Sequence, residues 1–203
     1  MKKLKKQLSV AGIIIITAIT LFAIPQALMA QASYKLVPGK DVSIKVLGSS
    51  NVHDWTETST VMESQGDFKL SDDNQIVSLS AFNFSLNAKS LKSEHEMMDS
   101  RTYKAMNADQ YPKITFKLGS AAIETIQKNK FNIKATGELT IAGATQTITL
   151  DVTAVVNPDN TITCTGSKKI KLTDYKIEPP SFMLGAMKVA NDLTIQYSLA
   201  YKK

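Results

Sequence analysis

Apolar and polar residues alternate along most of this chain, and this pattern constrains its fold more than any other feature. The alternation fills short runs between residues 42 and 201, separated by turns such as Asn157-Pro158-Asp159-Asn160. A β-strand places successive side chains on opposite faces, so each run predicts a strand with one buried face. Turns this short join neighbouring strands as hairpins, which predicts an antiparallel sheet.

The number of runs predicts a sheet of about eight strands. An antiparallel sheet of this size with one apolar face either packs as a sandwich or closes into a barrel. Closure removes the exposed edges, and a barrel of about eight strands has room inside for packed side chains or one slender ligand. We therefore predict an all-β fold, an antiparallel eight-stranded β-barrel.

Residues 76–86 depart from simple alternation, because both faces of the predicted strand carry apolar side chains. Phe82 and Phe84 lie in one phase, whereas Val77 and Leu79 lie in the other. Two interpretations stay open at this point. One face borders a cavity while the other meets a covering helix, or a β-bulge shifts the phase within the strand.

One segment, residues 91–111, has the spacing of a helix instead. Charged residues form one side of it, and the other side has i+3 or i+4 spacing: His95, Met98, Thr102 and Ala105. Ser93 followed by Glu96 predicts a capping box at its start, and Tyr111-Pro112 marks the return to extended chain. We predict one helical insertion that connects two strands and caps a mouth of the barrel.

Residues 1–32 have the form of a signal peptide. Four lysines precede an apolar run over residues 10–24, and Ala30-Gln31-Ala32 has the small-x-small pattern of a cleavage site. The run is shorter than the roughly 20 residues that cross a bilayer comfortably. We predict cleavage after Ala32 and a single domain over residues 33–203 that is periplasmic or secreted, without a stable membrane span. An uncleaved N-terminal anchor is the alternative.

Composition excludes two kinds of protein. The whole chain has a formal net charge of +6, but four of its 24 lysine and arginine residues belong to the predicted signal peptide. No stripe of basic residues with interleaved aromatics remains, so we expect no nucleic-acid partner. Cys164 is the single cysteine, which excludes an internal disulfide, and we expect a buried and inert thiol.

Catalysis has weak support in the sequence. The two histidines, His53 and His95, lie beside carboxylates, but they occupy separate segments and no HExxH motif joins them. A Gly-x-Ser-x-Gly elbow is also missing. We predict no enzyme, no catalytic residue and no metal site. Two alternatives stay open, a metal-assisted hydrolase that uses His53 and His95, and a cavity-free β protein that acts through protein partners.

Three groups of motifs resemble one known family over essentially the whole chain from Tyr34. They are Glu94-His95 with Ser100-Arg101 and Tyr111-Pro112-Lys113-Ile114-Thr115-Phe116; Gly137-Glu138-Leu139-Thr140-Ile141-Ala142-Gly143; and Thr173-Asp174-Tyr175-Lys176-Ile177 with Asn191-Asp192-Leu193-Thr194-Ile195. In these motifs the sequence resembles the YceI-like family of exported polyisoprenoid-binding proteins. It departs from the family pattern at Gly39-Lys40-Asp41 and in the stretch from Gly48 to Trp55, where a ligand head group would lie.

The resemblance implies a lipocalin-like barrel with a hydrophobic tunnel for an isoprenoid chain, such as that of a quinone. It implies carriage or storage of this or a similar long-chain amphiphile, with no required cofactor beyond the lipid itself as a ligand. The oligomeric state stays open, a homodimer included.

Candidate ligand contacts are the large apolar residues on the inward phase of the strands, together with those of the helix and of the loop before the last strand. They are Trp55, Phe82, Phe84, Met98, Phe116, Leu139, Phe182, Met183, Met187 and Tyr197. Aromatic and methionine side chains suit an irregular apolar ligand, although both also fill ordinary cores.

Overall fold

Strands account for most of residues 32–203, the part of the chain that the computed structural model describes. They are β1 (Ala32–Leu36), β2 (Ser43–Ser49), β3 (Asp54–Ser59), β4 (Glu63–Leu70), β5 (Ile76–Asn87), β6 (Lys113–Gln127), β7 (Lys130–Ile141), β8 (Ala144–Val156), β9 (Ile162–Lys171), β10 (Ser181–Phe182), β11 (Met187–Lys188) and β12 (Asp192–Lys202). The predicted signal peptide lies outside the described residues except for Ala32, which begins β1.

Eight antiparallel strands close into a barrel, as predicted. The ladder runs in the order β1, β4, β5, β6, β7, β8, β9 and β12, and β12 pairs back onto β1 through Tyr201 and Lys202. The β2–β3 hairpin is added beside β12, which pairs with β2 from Thr194 to Ser198. β12 therefore has β1 as a neighbour at one end of the barrel and β2 at the other.

The predicted alternation is confirmed in β7, where the inward residues are buried: Phe131, Ile133, Ala135, Leu139 and Ile141. Gly137 occupies the remaining inward position of this strand. A Cβ atom there would lie 2.7 Å from Cζ of Phe116 and 2.3 Å from the carbonyl oxygen of Lys117. The glycine therefore lets β6 and the Phe116 ring approach β7 closely.

The irregular strand β5 shifts its register against β4 at two places, as the β-bulge interpretation predicts, and its inward face also borders a cavity. Gly66 of β4 pairs with Phe82, but Phe68 pairs with Leu79, so the register shifts between them. This shift turns Leu79 inward as well as Phe82, and a second shift leaves Val77 unpaired and exposed. The phase changes in the sequence thus coincide with the two shifts.

One α-helix, α1 (Glu96–Ala105), lies between β5 and β6. The segment before it is bound to β3 by two backbone hydrogen bonds between Thr58 and Lys92, of 2.7 and 3.0 Å. The hydroxyl of Tyr103 also donates to the carbonyl oxygen of Leu91 over 2.6 Å. Within residues 32–203, no helix has the length and apolar character needed to span a membrane.

The predicted capping box at the start of α1 is wrong, because Ser93 has a different hydrogen-bond partner. Ser93 bonds to Asp99 instead of Glu96, and both its backbone nitrogen and its hydroxyl lie 2.7 Å from Oδ1 of Asp99. Lys92 adds an ion pair to the same carboxylate, which is buried beneath the turn. Hydrogen bonds from Ser93 and the lysine charge outweigh this burial and hold the pKa of Asp99 below its usual range.

Large side chains fill the half of the barrel that β1 closes, which we call the packed end. Its members are 9% exposed or less: Tyr34, Phe68, Ile76, Leu79, Phe131, Ile133, Ala154, Val156, Ile162 and Tyr201. The ring of Phe68 lies 5.6 Å from that of Tyr34 and 6.0 Å from that of Tyr201. The Tyr201 hydroxyl lies 2.9 Å from the hydroxyl of Ser64, so its polar atom is satisfied.

The opposite half, which we call the cavity end, has a different wall. The β2–β3 hairpin, α1 and the β10–β11 hairpin surround it, and β8 pairs with β9 only from Val152 to Val156. Beyond that ladder, a side chain of β9 and a side chain of β12 each bond to the backbone of β8. The Lys168 ammonium donates to the carbonyl oxygen of Thr149, and the Tyr197 hydroxyl donates to that of Asp151, each over 2.9 Å.

Candidate functional site

A cavity of about 570 Å³ occupies the cavity end. Its wall consists of the inward residues of eight strands, the inner face of α1 and the segment before β12. None of the residues that define the packed end lines it. This volume falls within the range of about 300–1,000 Å³ that is usual for small-molecule sites.

The wall of the cavity contains nine of the ten residues predicted to contact a ligand. They are Trp55, Phe82, Phe84, Met98, Phe116, Leu139, Phe182, Met187 and Tyr197. Met183 is not part of the wall; it is 75% exposed at the turn between β10 and β11. Contact with a ligand stays a prediction for all ten residues.

The β10–β11 turn explains the position of Met183. Met183, Leu184 and Gly185 all have positive φ, at 53°, 54° and 89°. This left-handed course turns the two strands tightly and directs the Met183 and Leu184 side chains to the surface. Phe182 and Met187, which flank the turn, line the cavity instead.

Two contacts hold the β10–β11 hairpin against the rest of the mouth. The guanidinium of Arg101, on α1, lies 4.1 Å from the centre of the Phe182 ring. Asn51, in the β2–β3 loop, accepts a hydrogen bond from the Lys188 backbone and donates one to the Ala186 carbonyl oxygen. The β10–β11 hairpin is therefore tied both to α1 and to the β2–β3 loop.

Trp55 lies flat on the strand beside it. Its cross-strand partner is Gly48, where a Cβ atom would lie 2.1 Å from an indole carbon. Only the absence of a side chain at Gly48 leaves room for the ring. The indole Nε1 of Trp55 is buried and has no hydrogen-bond partner within residues 32–203. Trp55 thus offers the cavity a large apolar surface and an unpaired donor.

The face of α1 that the i+3 and i+4 spacing predicted lies on the cavity wall. His95, Met98, Thr102 and Ala105 all line the cavity, together with Met97, Arg101 and Met106. Met97 is 67% exposed, which places it at the opening rather than at the back. The expectation that α1 caps one mouth of the barrel is confirmed by this position.

Glu57 is a buried, ionisable wall residue that the sequence interpretation missed. It follows Trp55 on the same face of β3, is only 1% exposed, and accepts a hydrogen bond of 2.5 Å from the Thr102 hydroxyl. Burial raises the pKa of this carboxyl to about 7, mainly because a charge there is poorly solvated. The available signal was its alternation with Trp55 and Ser59, which marks Glu57 as an inward residue.

Cys164 lies on the cavity wall and is buried, as expected. Burial raises the pKa of its thiol to about 12, so the thiolate is scarce at neutral pH. The packing fits the expectation of an inert cysteine.

The two histidines of the hydrolase alternative both line the cavity. His53 lies in the β2–β3 loop, where its Nδ1 is 3.0 Å from the carbonyl oxygen of Asp54. His95 precedes α1 as its N-cap residue. Within residues 32–203, no group of three or more His, Cys, Asp or Glu side chains is arranged to hold a metal ion.

Comparison with known protein families decides the identity of the domain. The model of the YceI-like domain matches residues 38–201, which include all the strands from β2 onward except the last residue of β12. The chain belongs to the YceI-like family. Comparison with curated proteins finds no match.

Three solved structures show the same fold for this YceI-like chain. BcnA of Burkholderia cenocepacia is 23% identical, with 77% of this chain and 95% of BcnA covered and a TM-score of 0.58. The YceI protein of Campylobacter jejuni is 21% identical, with 69% and 81% covered and a TM-score of 0.51. A polyisoprenoid-binding domain of Saccharophagus degradans is 13% identical, with 85% and 99% covered and a TM-score of 0.58.

Proposed function

We propose that this protein binds an isoprenoid-type chain, such as the tail of an isoprenoid quinone or a similar amphiphile, and carries or stores it. The observation that supports this most is the cavity of about 570 Å³, whose wall is dominated by aliphatic, aromatic and methionine side chains. The Saccharophagus degradans relative of the same fold is a polyisoprenoid-binding domain, which supports the same class of ligand.

The energetics of an apolar chain in this cavity favour binding. Burial of each CH₂-sized group contributes about 0.8 kcal/mol, so a tail of a few isoprene units offsets the cost of association. The side chains of Met98, Met106 and Met187 line the wall and adjust their shape to an irregular chain. Affinity on this account comes from the walls, and the surface lysines contribute little to it.

We also propose that the protein acts outside the cytoplasmic membrane and by binding rather than catalysis. The signal-like residues 1–32 support export. The mostly apolar wall of the cavity supports a binding role. Of the two alternatives, the cavity-free protein is contradicted by the cavity itself. For the hydrolase, residues 32–203 contain no group of three or more ligating side chains arranged to hold a metal ion.

Fluorescence of Trp55 provides the test, since it is the only tryptophan in the chain and lies on the cavity wall. We expect added decylubiquinone to quench it saturably with one site per protein, and geranylgeraniol to reverse the quenching. Phe84→Asp places a charge on the wall and is expected to weaken binding more than about tenfold.

Val77→Asp is the matched control, because Val77 lies on the same strand but is 54% exposed. It should bind decylubiquinone like the wild type. Quenching that never saturates, or equal affinities in a folded Phe84→Asp protein and the wild type, would contradict the proposed function.

A further inference from the structure

Glu57 is an unusual member of the cavity wall. Its carboxyl group is fully enclosed by residues that are mostly apolar, and the Thr102 hydroxyl is a hydrogen-bond donor to its Oε1. A buried carboxyl is expensive in its charged form, and burial shifts its pKa upward to about 7. At or below neutral pH the neutral acid is therefore well populated, and a neutral acid carries an O–H donor.

A second donor lies on the same face of the same strand. Trp55 is two residues before Glu57, so their Cα atoms are about 7 Å apart along β3. The two buried side-chain polar atoms that lack a partner within residues 32–203 are the indole Nε1 of Trp55 and the hydroxyl of Tyr175. Both residues line the cavity. Buried donors without acceptors are rare in native proteins and call for a partner.

A ligand that matches this wall has an apolar chain and a head group that accepts hydrogen bonds. We propose that the neutral carboxyl of Glu57, oriented by Thr102, donates a hydrogen bond to a carbonyl oxygen of the ligand head group, with Trp55 Nε1 as a second donor. The inference rests on the proposed function and adds a head-group class to it, namely a carbonyl-bearing ring or acyl group such as a quinone, ester or amide.

Deprotonation of Glu57 reverses the interaction. A carboxylate has only acceptors, so it repels a carbonyl oxygen instead of donating to it. Selectivity for carbonyl head groups is therefore high below about pH 7 and lost above it. The charge of Asp99 raises the pKa of Glu57, and the charge of Lys92 lowers it. Three further charged or titratable residues line the same cavity: His53, His95 and Arg101. All five stay in place when Glu57 alone is changed.

The experiment compares two probes that share one tail, decylbenzoquinone and decylbenzene. Each displaces the fluorescent probe N-phenylnaphthylamine from the full folded domain, which gives a Kd for each. The ratio of the two Kd values isolates the carbonyl preference. At about pH 5 we expect Glu57→Leu to lower this preference about tenfold relative to the wild type, the equivalent of one buried hydrogen bond.

Glu57→Gln is the conservative variant. Its amide still accepts from Thr102 and still donates to a carbonyl, so its preference should stay near that of the wild type at low pH. Between about pH 5 and about pH 9 the wild-type preference should fall toward that of Glu57→Leu, whereas the glutamine variant should hold its value. A purely structural role for Glu57 would change thermal unfolding without changing either ratio.

Glu138→Leu, at an exposed position on the outer face of β7, is the control and should match the wild type. The inference would be overturned by equal carbonyl preferences in the wild type and Glu57→Leu. It would also be overturned by equal pH dependence in the wild type and Glu57→Gln. In either case, binding of decylbenzene would leave the proposed function intact. If neither compound displaced the fluorescent probe from the wild-type protein, the proposed function itself would fail.

Discussion

The two ends of the barrel are built from the same alternating strands, yet one is filled and the other is hollow. At the packed end, β1 lies between β4 and β12 and completes a ring of eight strands. The enclosed space is small enough for Phe68, Phe131 and Tyr201 to fill it. At the cavity end, β2, β3 and α1 widen the wall beyond what the inward side chains can fill.

This difference shows that the inward phase of a strand does not decide between core and binding site. Phe131 and Leu139 occupy the same face of β7, but Phe131 is fully buried at the packed end and Leu139 lines the cavity. The circumference of the wall at each level decides which role an apolar residue has. Substitutions at the two ends should therefore divide between loss of stability and loss of binding.

Phe131→Ala should have the largest effect on stability. Phe131 is 0% exposed, and removal of a fully buried ring costs about 3–5 kcal/mol of unfolding free energy. Phe84→Ala, on the cavity wall, should cost clearly less, because its ring already borders open space. Urea unfolding measures both values, and decylubiquinone affinity should change only for Phe84→Ala. Equal losses of stability with no change in affinity would remove the distinction between the ends.

Glu57→Gln should have the next largest effect, and it depends on pH. The pKa of Glu57 rises from 4.5 to about 7 on folding, so the folded state binds the proton more tightly. The contribution of this group to stability is full below pH 4.5 and is lost as the pH rises through about 7. The loss amounts to roughly 3 kcal/mol.

The glutamine variant lacks this titration, so its unfolding free energy should decline less than that of the wild type between these pH values. Denaturant unfolding across the window measures the difference. Parallel pH profiles for the two proteins would mean that Glu57 is not desolvated at the cavity end.

Tyr201→Phe should have the smallest effect. It removes the 2.9 Å hydrogen bond to Ser64 at the packed end and leaves the ring in place. We expect a loss of about 1 kcal/mol in unfolding free energy and no change in decylubiquinone affinity. Tyr111→Phe, at an exposed position, is the control. A change in affinity for Tyr201→Phe would show that the packed end communicates with the cavity.

Much of the fold followed from periodicity. The alternation in β7 and β12 and the helical spacing from His95 to Ala105 predicted which faces turn inward, and the structure places them so. Periodicity reports only the direction of a side chain. It contains no information on how far apart opposite walls lie, so periodicity alone leaves both a filled core and a cavity open, and the family resemblance is what favoured the cavity.

The differences between the expected and the observed cavity wall have physical causes as well. Phe182, Met183 and Leu184 are consecutive apolar residues without a period, so only the left-handed backbone of the turn separates the wall residue from the exposed ones. Glu57 conflicts with the rule that inward residues are apolar. Its partner Thr102 is 45 positions away in the sequence, beyond the reach of any local pattern. A contact between residues this far apart in the sequence forms only in the closed barrel.

The central claim is that the cavity end holds an apolar chain, and native mass spectrometry tests it most directly. The protein would be purified from the cells that produce it, and its mass compared before and after solvent extraction. We expect a mass excess that extraction removes and that fragments as an isoprenoid or similar long-chain lipid. A mass equal to that of the bare chain, together with no uptake of added decylubiquinone, would contradict the claim.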